Sequence, residues 1–499
     1  MRRGWRAQTR SRRWAISSLA EAGEGVGFKA AFAAAAFVFV VVAILALERV
    51  GAPDPLVVAL GPLAGLIAVA GLGVLTRAKT LLDFLVARRA VPPFYAGLAL
   101  AAPIGGFALA FAGAEDDASR LPWRGVAAGI VFAVLVGAPR WRAAQASALA
   151  DVLTTRFPSA FTRAAFALIL CACGWSLAAS GLGYAALTVR ASLGFGPDAA
   201  IAVCTAALAL SLAPGGLRSL VWTDAASTAA GLMTMALFVA LFAAGGDADR
   251  LDSVAQALGR LPGAPLVEEL AAGAAVASLF AFASPAFAVA SPGAARRAGL
   301  TALLVLAAGG AAAAALGDLT MKSPSDSALA GLVACLPALA LARGGLYAAS
   351  RAIGLDLVSA HQRLAVLASR RMASVRGGVL FGAGVAAFGA RLSPHPAAPL
   401  YLALSLWLAF AAPSLALAAL PGRRAAPAIT ALTASVAAAF AGRWLGFGNP
   451  SYGPDLMVGA LGAGMVGLAA GLFVFALAPL GTVARPADPF VELPGEPGV

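Results

Sequence analysis

Long apolar runs separated by short polar, arginine-rich breaks fill the chain from about residue 30 to about residue 480. A hydrocarbon core about 30 Å thick takes roughly 20 apolar residues per helix. Runs of that order recur near 30–48, 56–75, 95–113, 125–138, 164–187, 199–214 and 224–244. Seven more follow near 270–290, 298–317, 328–353, 377–390, 398–419, 427–442 and 457–479. Long alternating polar and apolar segments are absent, so helices rather than a barrel satisfy the backbone. The pattern predicts an all-α polytopic membrane protein with about 14 transmembrane helices, an even number that puts both termini on one side. The shortest runs are 125–138 and 377–390.

The breaks carry as much as the runs. In 211–244, Pro214, Gly215 and Gly216 end one helix, because Pro removes a donor and Gly tolerates a tight reversal. Thr223 or Asp224 is placed to cap the next helix by accepting its free amide hydrogens, and Arg218 falls in the turn on the cytoplasmic side. Two runs are interrupted internally, one by Pro103-Ile104-Gly105-Gly106 and one by Ala283-Ser284-Pro285. Each opens a set of five spans, 95–244 and 270–419. Interrupted helices in corresponding positions mark inverted-repeat transporters, in which unwound backbone holds a solute or ion. Gly105 and Ser284 are therefore expected at unwound midpoints that approach each other across the core. Two proline kinks tolerated within bundled helices are the other reading.

Composition agrees with the membrane class: 61% of residues are hydrophobic and 12% charged, where a soluble domain has about a quarter charged. A net charge of +13 suggests nucleic acid at first sight. Its placement says otherwise, because Arg77, Lys79, Arg88, Arg89, Arg140, Arg142, Arg296, Arg297, Arg370, Arg371, Arg423 and Arg424 all fall on one side of the topology. That is the positive-inside bias of a multi-pass protein of the inner (plasma) membrane with both termini cytoplasmic, and it leaves no role for a nucleic-acid partner. Arg2, Arg3, Arg6, Arg10, Arg12 and Arg13 precede the first run, which is long enough to be an uncleaved anchor. Residues 139–163 suit an amphipathic helix on the inner surface or an ordinary loop. The abundance of Ala and Gly in the spans fits close helix packing in lipid, or a coding bias.

Catalytic and metal chemistry find little to stand on. Cys171, Cys173, Cys204 and Cys335 lie within apolar runs with neither disulfide nor zinc spacing, and His361 and His395 lie in separate loops. No paired carboxylates, HExxH motif, nucleophile–base set or Walker A loop appears, so neither an enzyme, a resident metal, a cofactor nor a primary pump is expected.

Three motifs carry a family resemblance. Gly215-Gly216-Leu217-Arg218 followed by Val221-Trp222-Thr223-Asp224 resembles the signature loop of the solute:sodium symporter family. Asp83-Phe84-Leu85-Val86-Ala87-Arg88-Arg89, then Val91-Pro92-Pro93, is similar to that family's loop before its second span. Ser350 to Val358, ending Ala352-Ile353-Gly354-Leu355-Asp356-Leu357-Val358, resembles a third. The order is kept over about residues 56–480, and the acetate-permease-like branch is nearest. The resemblance implies a five-plus-five inverted-repeat core with flanking helices. It divides the chain into 1–28 (basic N-terminus), 29–94 (two extra spans and a cytoplasmic loop), 95–244 (first repeat), 245–269 (periplasmic loop), 270–419 (second repeat), 420–480 (two further spans) and 481–499 (tail). It implies a secondary transporter that moves a small-molecule substrate such as acetate across the bilayer. The family's sodium site takes hydroxyls from the helix matching 328–353, where this chain has Ala340 and Leu341, with Ala102 on the first interrupted helix. The implied ion site is degenerate, the coupling ion (Na+ or H+) stays open, and so does the oligomeric state. A symporter-like protein without transport, serving as a sensor or structural partner, is the alternative.

Arg343 stands near the centre of span 328–353, and no acid falls in the middle of any run drawn above. A central Arg costs about 2.5–3.5 kcal/mol on insertion scales and faces a cavity or a partner. Its fork offers donors to carbonyls freed by a broken helix, in place of an ion, or to a substrate carboxylate. Arg343 therefore joins Pro103, Ile104, Gly105, Gly106, Ala283, Ser284 and Pro285 as the expected binding residues. Satisfaction by ordinary backbone carbonyls is the plainer reading. Arg351, nearer the helix end, is expected to snorkel to the surface.

Overall fold

The computed structural model describes residues 35–112, 123–143, 160–244, 266–277, 284–316, 323–357, 368–393 and 395–408, with position 469. In order, its helices are α1 (35–49), α2 (Asp54–Leu75), the short α3 (Leu81–Val86) and α4 (Pro93–Ala112). Then come α5 (Trp123–Ala143), α6 (Ala160–Leu193), α7 (Pro197–Leu212) and α8 (Gly216–Ala244). Beyond them lie α9 (Leu266–Ala277), a 3-10 turn at Ser284–Ala288, α10 (Pro292–Leu316), α11 (Pro324–Leu357), α12 (Ala368–Leu392) and α13 (Ala397–Leu406). The two sets of five spans expected from the sequence correspond in order to α4 to α8 and α9 to α13, of which α9 and α13 are short, 12 and 10 residues. Among the described residues, seven helices are long and apolar enough to cross a membrane. The spans expected at 427–442 and 457–479, the basic N-terminus and the tail lie outside the described residues.

Local chemistry sets the helix starts. Ser323 accepts from the Asp326 amide at 3.2 Å, Pro324 follows it, and Asp326 places negative charge in the first turn of α11. Gly196, Pro197 and Asp198 open α7 in the same order.

Three sequence expectations need correction. First, α8 begins at Gly216, not near residue 224: Gly216 takes φ +55°, which makes the reversal, and the helix continues from there. Trp222, Thr223 and Asp224 lie inside the helix, so Asp224 is no cap, and Arg218 is in the first turn rather than a loop. Second, α4 runs unbroken through Pro103, Gly105 and Gly106. Pro103 removes one donor, but Gly106 serves close packing rather than unwinding, and Gly105 has only an ordinary contact with Pro337. A Cβ on Gly106 would lie 2.0 Å from the Pro337 carbonyl oxygen of α11. Third, the expected cytoplasmic loop at the end of 29–94 contains α3, with Leu81, Asp83, Phe84, Leu85 and Val86 buried. The two shortest runs are spans as expected and extend beyond their apolar stretches, α5 with a π turn at Ala133–Gly137 and α12 of 25 residues. In 139–163, the first residues extend α5, the last begin α6, and 144–159 lie outside the described residues.

α11 runs through the middle, against α2, α4, α6, α8 and α12. Lipid removes the hydrophobic drive between helices, so approach depends on small residues. At α6 against α11 the backbones nearly touch: a Cβ on Gly174 would lie 2.5 Å from the Gly345 oxygen, and one on Gly345 would lie 2.5 Å from the Gly174 oxygen. Tyr184 of α6 donates to the Ala110 oxygen of α4 at 2.8 Å, and Thr228 of α8 donates to the Leu98 oxygen at 2.8 Å. Phe381, Phe388, Leu304 and Ile67 stay exposed on the outside, as lipid-facing side chains do.

Candidate functional site

The centre of the molecule holds an ion pair. Arg343 projects from the middle of α11 between small neighbours, Ala342 and Gly344-Gly345, and Asp224 projects from the third turn of α8. Both are completely buried. Arg343 Nε donates to Asp224 Oδ1 at 2.9 Å, and Nη2 donates to the same oxygen. Nη2 also reaches the Ser227 hydroxyl oxygen at 3.4 Å, while that hydroxyl donates to the Thr223 carbonyl oxygen at 2.8 Å. Removing two charges from water costs several kcal/mol per ion, which only close opposite charge and hydrogen bonds offset. The pairing is incomplete: Arg343 Nη1, Asp224 Oδ2 and Thr223 Oγ1 are buried without a hydrogen-bond partner among the described residues.

Arg343 thus faces a partner, and that partner is an acid inside a span: because α8 begins at Gly216, Asp224 lies within the helix and not at its end. The Nε–Nη2 edge of the guanidinium is turned to Asp224, not to carbonyls of a broken helix. Ser227, one turn beyond Asp224, was missed, and a polar residue three positions from an acid on an apolar helix is the signal that marks it.

The other expected residues sit around this pair rather than in it. Ala340 and Leu341 are buried on α11 just before Arg343 and bring no polar side-chain atom. Leu341 and Pro337 pack on Gly106, with Gly105 close by. Ala102, Pro103 and Ile104 are buried on α4. Ser284 and Pro285 open the 3-10 turn that packs beside α4, and Val91 donates to the Ala288 oxygen at 3.1 Å. Ala283 lies outside the described residues.

Two motifs that lie far apart in sequence meet in space. Arg218 donates to Asp83 at 2.6 Å, and the space a Gly216 Cβ would need is taken by Phe84, whose carbonyl oxygen would be 2.5 Å away. Gly215 packs on Thr76 and Ser219. The Trp222 ring tilts against Tyr95 at the start of α4, 5.2 Å between centroids. The third motif supplies Asp356, which accepts from Arg163 at 2.9 Å. Arg351 is buried rather than snorkelling, and Nη1 lies 3.4 Å from the Leu85 oxygen.

No family model and no curated protein sequence matches the chain. Among solved structures, it is similar to a Na+-coupled sialic acid symporter in a substrate-bound outward-open state. The identity is 18%, the match covers 87% of this chain and 99% of that one, and the TM-score is 0.63. It also matches the inward-facing conformation of Mhp1 at 18% identity over 82% of this chain and 95% of that one, with a TM-score of 0.37. The first likeness establishes the architecture: a multi-pass, all-α membrane protein with the fold of a Na+-symporter-type transporter.

Proposed function

We propose that the protein is a symporter-like secondary transporter that moves a small organic solute across the inner membrane by alternating access, with both termini cytoplasmic. Arg343 stands in it as a fixed cation. The observation that carries this reading is the buried Arg343–Asp224 pair inside a symporter-type fold. A buried carboxylate needs a positive partner. Where a sodium ion would be a mobile partner, the guanidinium is a permanent one, and Ala340 and Leu341 bring no side-chain oxygen to hold an ion beside it. Because Asp224 occupies the Nε–Nη2 edge, the ion-replacing role is better supported than a clamp on a substrate carboxylate. The motif resemblance to the acetate-permease-like branch supports a monocarboxylate such as acetate as the solute. Ala102, Pro103, Ile104, Gly105 and Gly106 on the continuous α4, with Ala283, Ser284 and Pro285, are the residues this reading assigns to the solute.

Uptake in proteoliposomes, with labelled acetate, other carboxylates and amino acids, tests this reading. Uptake that is the same with and without a sodium gradient is the expected result. A strict sodium requirement in the unaltered protein would defeat the fixed-cation role. The transport-incompetent alternative gains from the same pair, because it ties α8 to α11 at the centre of the molecule, and it predicts no uptake of any solute in the panel.

A further inference from the structure

One end of the bundle carries Arg88, Arg142, Arg218, Arg351 and Arg376, and a single stretch, residues 77–91 between α2 and α4, is fastened across it. The turn before α8 holds its beginning, where the Ala78 amide donates to the Pro214 oxygen at 3.1 Å. Arg218 of α8 holds Asp83. From α12, Arg376 donates to the Pro214 oxygen at 3.1 Å, and its guanidinium lies 5.7 Å from the centre of the Phe84 ring. From α11, the Tyr347 hydroxyl donates to the Leu85 oxygen at 2.8 Å. At the far end the Val91 amide donates to Ala288, beside which Arg142 of α5 donates to the Val289 oxygen at 2.8 Å and the Ala290 oxygen at 2.7 Å.

Between these fastenings the backbone is strained. Ala87, Arg88 and Arg89 take φ of 48°, 53° and 56°, three consecutive left-handed residues of which none is glycine. In that conformation Cβ crowds the following carbonyl oxygen, so such runs persist only where the surroundings impose them. The fastenings also join the two sets of helices, α5 and α8 of the first to α11, α12 and the 284–290 turn of the second. Alternating access moves such sets against each other around a fixed site, so these bonds cannot all survive a cycle.

We propose that residues 77–91 are the gate at the arginine-rich end of the transport path, latched by Tyr347 and Arg376 and biased toward release by the left-handed run 87–89. The proposal rests on the transport reading above, and its test reads gate opening without any substrate. The reporter is Ala348→Cys, buried on α11 next to the latch residue Tyr347, in a full-length protein whose four native cysteines are alanine. A membrane-impermeant maleimide is applied to vesicles from one side at a time. Losing one net hydrogen bond shifts a closed-to-open equilibrium about tenfold. Tyr347→Phe and Arg376→Gln are each expected to speed labelling about that much, from the arginine-rich side only, with partial rescue by Arg376→Lys. Ala87→Gly, which accepts the left-handed conformation without crowding, is expected to slow it. Unchanged labelling in both latch variants, acceleration from both sides, or faster labelling in Ala87→Gly would overturn the proposal. Gated labelling in a protein that takes up no solute would leave the gate standing and remove the transport reading.

Discussion

Arg343 and Asp224 are each other's main compensation, so the two single substitutions and the double one have different consequences. Truncating one partner of a buried pair strands the other charge and costs about 3–5 kcal/mol, whereas replacing both with apolar residues of similar volume is often neutral. Arg343→Ala and Asp224→Ala are expected to lower the thermal unfolding temperature in detergent strongly, while Arg343→Met combined with Asp224→Leu recovers most of the loss. A double variant as unstable as either single one would mean the two residues do not act as a pair. Transport adds a second readout: if the guanidinium takes the place of an ion, sodium partly restores uptake in Arg343→Ala. Arg343 was legible in the sequence as an anomaly, because an uncompensated charge in an apolar run demands a partner. Its partner was not, because Asp224 sits in a Trp-Thr-Asp string that reads equally well as a helix cap, and only the chain reversal at Gly216 places it inside α8.

At the level of the helices, glycine decides distance. Gly174 and Gly345 bring α6 and α11 into backbone contact at a crossing that fixes where Arg343, two residues earlier, enters the core. A side chain there has no space to occupy, and overpacking costs typically about 1–3 kcal/mol. Gly174→Val is expected to destabilise by about that amount in chemical unfolding, and Gly310→Val, at a position with open space around it, is not. Equal effects would mean the contact contributes nothing specific. Apolar length located most of the helices because the bilayer sets it. Two things escaped that reading. Pro103-Ile104-Gly105-Gly106 signals a break by composition, yet the same small residues suit a close crossing, and α4 uses them that way. The stretch before α4 looks like a loop by its arginines, and its burial depends on partners more than a hundred residues away.

For the molecule as a whole, the arginine bias predicts a direction in the membrane. Arg88 and Asp198 are exposed at opposite ends of the bundle. Cysteine at position 88 is expected to label from the cytoplasmic side and cysteine at 198 from the outside, in sealed vesicles of known orientation, and the reverse would overturn the positive-inside assignment. The central pair then has an electrical consequence. A bound sodium ion that crosses with its solute takes up work from the membrane voltage, about 2.3 kcal/mol per charge for each 100 mV. A guanidinium tethered to α11 makes no such journey. It returns with the protein at the end of each cycle, and the charge it moves outward it moves back again. If Arg343 serves as the fixed cation proposed above, this position draws nothing from the sodium gradient and delivers no net current. On that reading, any accumulation of solute must be driven by a charge or a gradient carried elsewhere, and with none present a transporter of this design would bring the two sides to equal concentration and stop.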